Sequence, residues 1–212
     1  MPDVLNPQKA LIFRATHRDN LPWILKHGLH AQNGVLSDPN FRNIGNRDLI
    51  ARRTTHSVPI APEGTLSDYI PFYFTPWSMM LYNIHTGRNV ACVPNDEIVF
   101  LISSLRRIEE LSIPFVFTDQ HAFLKTTSFF ADLEHLDQLA WSLWNGRDFK
   151  YDFNDPGKTD RYQAEALVWK NVPVEALLGI VSYNDDVNSW LQTEARRFNR
   201  QIDIRVHKGW YF

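Results

Sequence analysis

Apolar positions along the chain change period several times, and each change marks an element. Leu11 to Thr16 is a short β-type run interrupted by Arg14. The next segment predicts a short helix, with Asp19 or Asn20 as cap, Pro22 in the first turn, Trp23, Ile24 and Leu25 as its apolar positions, and Gly28 as a left-handed stop. From Ser37 to Gly64, Asn, Asp, Arg, Pro and Gly dominate without sustained periodicity, which predicts a long functional loop holding a turn or two of helix. Asp68 to Leu81 is dense in aromatic residues, but Pro71 and Pro76 argue against a regular central strand, so an edge strand followed by a turn is expected.

Branched and aromatic runs at Glu97 to Ser103 and Phe115 to Thr118 predict two strands, with a helical turn or two between them at Leu105 to Leu111. Phe129, Leu133, Leu136, Leu139 and Leu143 recur at three- and four-residue spacing, predicting an amphipathic helix over Ser128 to Trp144. Gly146 to Tyr162 is polar and predicts a loop. Strands are expected at Ala164 to Trp169, Leu177 to Tyr183 and Ile202 to His207, the last two separated by a helix from Asp186 to Phe198 capped by Asn184 or Asp185. Many short strands mixed with helices make an α+β chain, and with neither repeat nor linker visible residues 1–212 are expected to form a single domain.

Composition narrows the function classes. With 44% hydrophobic and 22% charged residues the chain is globular, not disordered. A net charge of −2 gives no overall drive toward nucleic acid, so any such contact needs a local patch. Cys92 is the only cysteine, which excludes an internal disulfide and a multi-cysteine zinc site, and no metal is expected. No apolar stretch suits a transmembrane helix and Met1 to Lys9 has no apolar signal core, so a cytoplasmic protein with no membrane partner is expected. Gly157, Lys158 and Thr159 resemble the end of a phosphate-binding P-loop, but Asp152 stands where its first glycine belongs. GxGxxG, HExxH and GxSxG motifs are absent.

Glu165 is the most informative residue, an acid inside the apolar run Ala164 to Trp169. Strand alternation could turn it to solvent, or an arginine could pair with it. Held beside a cleft, it could instead bind a ribose hydroxyl and stabilise positive charge on a sugar ring. Arg14, Arg52 and Arg53 could grip a pyrophosphate or a nucleic-acid backbone. Arg147, Lys150 and Arg161, interleaved with Phe149 and Tyr151, suit single-stranded nucleic acid as well as an ordinary surface.

The segments Asn6 to His30, Gly64 to Gly87, Ile113 to Ala122 and Asp160 to Pro173, together with Lys208 to Phe212, resemble the DarT family of bacterial toxins that ADP-ribosylate single-stranded DNA. The resemblance spans nearly the whole chain. It implies an ADP-ribosyltransferase fold with split small sheets around a cleft, NAD as co-substrate and thymidine bases of single-stranded DNA as acceptor. It also implies a DarG-like macrodomain antitoxin as partner. Carried onto this sequence, Glu165 is the catalytic carboxylate and Arg53 a catalytic arginine that also contacts NAD, as either proton acceptor or electrostatic stabiliser. Arg14, Ala15, Thr16, Trp23 and His30 fall at NAD contacts. Arg52, Arg147, Lys150 and Arg161 are candidates for DNA. The loop from Ser37 to Arg53 would cover NAD, and Asp119 to Glu165 would present the base. Rival readings are a transferase acting on another base, RNA or protein, an NAD glycohydrolase, and a non-catalytic single-strand-binding module.

Overall fold

The computed structural model describes residues 5–212, so Met1 to Val4 of the stretch read for a signal core lie outside the described residues. The chain runs β1 (Leu11–His17), α1 (Leu21–His27), β2 (Leu29–His30), α2 (Arg47–Arg53), β3 (Tyr69–Tyr73), α3 (Met79–Thr86), β4 (Ile98–Ser104), α4 (Leu105–Glu110) and β5 (Phe115–His121). It continues through β6 (Phe129–Phe130), α5 (Trp141–Gly146), α6 (Lys158–Arg161), β7 (Ala164–Trp169), β8 (Asn171–Val172), β9 (Gly179–Ser182), α7 (Asp185–Arg197) and β10 (Asp203–Val206). This is the α+β composition expected.

One eight-stranded sheet carries the fold in the order β10-β9-β4-β1-β3-β7-β5-β6, and β2 pairs with β8 separately. The large sheet is nearly two sheets. β1 pairs with β4 along its full length from Leu11 to His17, and β3 pairs with β7 from Tyr69 to Tyr73, yet β1 and β3 share a single pair, Phe13 with Tyr73. Two four-stranded halves therefore splay apart at β1 and β3, as the split-sheet expectation requires.

Alternation along β7 decides what faces that split. Ala164, Ala166 and Val168 enter the main core with Phe72, Phe74, Phe117 and Trp144. Leu167 turns to the opposite face, into a smaller cluster with Val58, Leu66, Tyr69 and Val116. Period-two geometry puts Glu165 on that second face. Phe74 stacks on Trp144 with ring centroids 5.6 Å apart and meets Phe117 edge-on, which ties the β3 end of the sheet to α5.

Four expectations are corrected. β3 is an interior strand, not an edge strand. Pro71 fits because its carbonyl accepts from Arg14 Nη1 at 2.7 Å across the gap where β1 offers no ladder partner, so its missing N–H costs no sheet bond. The expected helix from Ser128 to Trp144 is broken. Phe129 and Phe130 pair with Thr118 and Phe117, Asp132 caps a 3-10 turn over Leu133–Gln138, and only Trp141–Gly146 is α-helical. The apolar spacing served packing, while the β5 edge claimed the first two residues. Asn20 occupies the N-cap position of α1 without capping it. A cap side chain accepts from the second or third helical N–H, and Pro22 has none to offer. The Gly146 to Tyr162 loop also contains α6. Asn184 is the side chain that caps α7, accepting from Val187 N.

Gly28 stops α1 as the sequence suggests, and its reason is partly tertiary. Its φ is +82° and a Cβ would lie 2.6 Å from the Val172 carbonyl oxygen of β8. Gly28→Ala should therefore lower unfolding free energy by about 2–4 kcal/mol, the combined cost of a strained φ and a backbone clash. Urea denaturation measures this; a change below about 0.5 kcal/mol would show that β8 does not lie against the turn.

Candidate functional site

Glu165 is 2% exposed on the cleft face of β7, directly opposite Tyr73 of β3. A buried carboxylate needs partners, and both oxygens have them. Oε2 accepts from Arg53 Nη1 at 2.9 Å, and Oε1 accepts from the Ala122 backbone N–H at 3.3 Å. Arg53 arrives on the last turn of α2, whose start is fixed by Asn46 accepting from Leu49 N.

Arg14 completes the charged cluster. Its Nη1 is spent on Pro71, but its Nε is buried without a partner, as is Nη2 of Arg53. Burial, and then the neighbouring Arg53 charge, bring the Arg14 pKa down to about 10, against the opposing pull of Tyr73 and Glu165. It remains a cation at neutral pH. Burial, reinforced by the Glu165 charge, pushes the Tyr73 phenol above its ordinary range, so it stays neutral there and can donate a hydrogen bond.

These groups line a cavity of about 260 Å³ whose walls include Arg14, Ala15, Thr16, Arg53, Tyr73 and Glu165. A second cavity of about 380 Å³ shares Arg14, Arg53 and Pro71 with it and extends to Trp23 and His30. Together they fall within the range of small-molecule sites, ~300–1,000 Å³. A third cavity of about 300 Å³ lies over β9 and β10 between Phe13, Trp77 and Trp210. Its charged residues Asp203 and Arg205 pair with each other at 2.7 Å, and nothing in it matches the Glu165 cluster. Among the described residues no group of three or more His, Cys, Asp and Glu side chains could hold a metal ion, and no helix is long and apolar enough to cross a membrane.

The sequence-derived candidates separate by position. Arg14, Ala15, Thr16, Arg53 and Glu165 meet at one cavity, and Trp23 and His30 stand in the adjoining one with their rings 5.5 Å apart. Arg52 lies at the rim, its guanidinium 4.5 Å from the centre of the Phe123 ring, and Phe123 itself lines the Glu165 cavity. Arg147 lies 3.7 Å over Trp77, a wall of the third cavity, and Arg161 pairs with Asp155. Lys150 is exposed. Sequence reasoning missed Tyr73, His121, Phe123 and Gln163, all lining the cavity. Tyr73 was within reach, since alternation along β3 sets it on the face opposite Phe72 and Phe74.

A family model described as ssDNA thymidine ADP-ribosyltransferase, DarT, matches residues 13–212. A DNA ADP-ribosyl transferase from Escherichia coli O127:H6 is 50% identical over 211 residues, covering 98% of this chain and 96% of its own. The structure of Thermus sp. 2.9 DarT in complex with ADP-ribosylated ssDNA aligns with a TM-score of 0.88 at 34% identity, over 97% of this chain and 98% of that one. The same protein in complex with NAD+ aligns at 0.83, over 97% and 99%.

In the loop between β2 and α2, one wall of the cavity, the buried Asn20 amide fixes the backbone at Arg42. Asn20 Oδ1 accepts from Arg42 N at 2.8 Å, while Nδ2 donates to Arg42 O at 3.0 Å and to Thr16 Oγ1 at 2.9 Å. Asp19 adds an ion pair to the Arg42 side chain at 2.6 Å. Asn20→Ala removes all three amide bonds and should cost about 2–3 kcal/mol. It should also speed proteolytic cleavage within residues 37–46 several-fold; unchanged cleavage together with unchanged stability would mean that the loop is held by something else.

Proposed function

The chain belongs to the DarT family of ssDNA thymidine ADP-ribosyltransferases, and from that membership we propose that residues 1–212 act as one catalytic domain moving ADP-ribose from NAD to the thymine N3 of single-stranded DNA. The observation that carries the reading is the Glu165–Arg53 pair, buried beside a cavity lined by Arg14 and Arg53, in which the nitrogens Arg14 Nε and Arg53 Nη2 are buried without a partner. Unpaired buried donors are costly, so the site suits an anionic, hydroxyl-rich ligand, and NAD meets that description.

NAD supplies a glycosidic bond between ribose C1′ and nicotinamide, whose electron pair departs with nicotinamide as thymine N3 bonds C1′ and releases its proton. Glu165 holds the ribose hydroxyl and its negative charge stabilises the positive sugar ring. Arg53, whose Nη1 donates to that carboxylate, is placed to stabilise the developing negative base, and the N3 proton passes to water. Arg14 and the Ala15–Thr16 backbone take the NAD diphosphate side of the cavity, with Trp23 and His30 in the adjoining space. Single strands are the acceptor because N3 is occupied by pairing in a duplex.

Exposed Lys150 can meet a DNA backbone directly, whereas Arg52, Arg147 and Arg161 already lie over Phe123, over Trp77 and on Asp155. Family resemblance supports a macrodomain antitoxin of the DarG kind as partner, and the two substrates support a cytoplasmic site of action.

Mass spectrometry of thymine-containing and thymine-free oligonucleotides incubated with NAD tests the reading. One ADP-ribose should be added only where thymine is present. Glu165→Gln should lower transfer by about a thousandfold or more with the fold kept, and Arg53→Ala should lose transfer and weaken NAD binding. A Glu165→Gln protein with wild-type transfer would overturn the mechanism, and modification of thymine-free strands would overturn the acceptor.

A further inference from the structure

The strand pairing beside Glu165 is irregular. β5 and β7 pair at Phe117 with Ala166 and again at His121 with Ala164, so three residues, Thr118, Asp119 and Gln120, stand against Glu165 alone. A bulge of this size breaks the ladder and leaves backbone groups without partners. In this protein a side chain supplies them. Thr118 Oγ1 accepts from Glu165 N at 3.0 Å and donates to Gln120 O at 2.7 Å, wholly buried at 0% exposure.

The same bulge delivers the carboxylate's second partner. Immediately after it, Ala122 N donates to Glu165 Oε1. That turn is fixed by Phe123 N donating to His121 Nδ1 at 3.0 Å and by Thr127 Oγ1 donating to His121 O at 2.7 Å. Backbone and carboxylate of Glu165 are thus both referenced to one feature. Thr118 itself lines neither of the two cavities and cannot touch a ligand there.

The geometry points to Thr118 as a positioning residue for Glu165, its hydroxyl holding the bulge in the one arrangement that aims the carboxylate between Arg53 and the Ala122 N–H. The inference rests on Glu165 being the carboxylate that acts on the NAD ribose. A methyl in place of the hydroxyl leaves Glu165 N buried without its acceptor and Gln120 O without its donor, so the bulge must shift and the carboxylate with it. Position is lost while charge and cavity lining remain. Displacements of about 1 Å at a reacting centre cost on the order of a hundredfold in rate.

Two substitutions separate this role from packing. Thr118→Val keeps size and β-branching and removes the hydroxyl; Thr118→Ser keeps the hydroxyl and removes the methyl. With a thymine oligonucleotide as acceptor, Thr118→Val should lower kcat by about ten- to a hundredfold while KM for NAD stays within about twofold, and Thr118→Ser should stay within about twofold of wild type in both. Wild-type kcat in a folded Thr118→Val protein overturns the inference, as does a loss in Thr118→Ser equal to that in Thr118→Val. If Thr118→Val shows no cooperative melt, Thr118→Cys takes its place, its thiol being of similar size but a weak hydrogen-bonding group. Reduced kcat there upholds the role, and wild-type kcat overturns it. Glu165→Gln is assayed in parallel. Wild-type transfer in that variant removes the premise and this inference together, whereas an inactive Glu165→Gln beside a fully active Thr118→Val defeats the positioning role alone.

Discussion

Neighbouring strands in a sheet normally exchange hydrogen bonds along their shared length, and β1 and β3 do so at one pair, Phe13 with Tyr73. The remainder of their facing edges must find other partners or remain unpaired. Arg14 fills the gap, reaching across to the Pro71 carbonyl. That one side chain explains how a proline occupies an interior strand, why the two half-sheets splay, and why a cavity opens between them. It also explains why an arginine interrupts an otherwise apolar first strand. A more regular β1–β3 ladder would close the cleft, and Arg14 would then have neither a structural nor a binding task.

The cost of this arrangement is electrostatic. Two guanidinium groups and one carboxylate are brought together in a largely buried space, and the pair between Arg53 and Glu165 neutralises one charge of each sign. What remains is the Arg14 cation, with its pKa drawn down to about 10 by burial and by Arg53, and two guanidinium nitrogens with no acceptor. Each buried donor left unpaired costs about 1–3 kcal/mol. The amide clamp at Asn20 lowers the conformational freedom of another wall, because it fixes the loop between β2 and α2 at Arg42.

Much of this was legible in the sequence, and the failures share a cause. β1, α1, β4, α4, β7, β9, α7 and β10 follow from local period and caps because each has one face fixed by the core. Glu165 stood out for the same reason, an acid where alternation and composition demanded explanation. Pro71 misled because a missing N–H matters only where a ladder exists, and the absence of that ladder is a tertiary fact. The stretch from Phe129 to Leu143 carried a helical spacing that was real as packing but not as helix, since the edge of β5 took Phe129 and Phe130 into β6. Asn20 read as a cap because the residue type is right; its amide was instead claimed by Arg42, 22 positions away. Thr118 gave no signal at all, for a threonine within a β-run is ordinary until the register shift beside it is known.

The basic residues of the late loops illustrate how tertiary pairing thins a charge pattern. Lys158 is nearly buried on Asp148 at 2.7 Å, Arg161 holds Asp155, and Arg147 lies over Trp77. Of the cations between residues 147 and 161, Lys150 alone makes no side-chain ion pair or ring contact, though its charge lies near Asp148. The rings behave oppositely, with Tyr151 64% and Phe153 89% exposed. Exposed aromatic faces are costly in water and offer stacking surfaces worth about 1–3 kcal/mol per base. A single strand laid along this loop therefore meets rings before it meets free cations. Stacking does not depend on salt as phosphate contacts do, and it requires bases that are not already stacked in a duplex. A chain of net charge −2 thus presents stacking surface on this loop where it lacks a basic face.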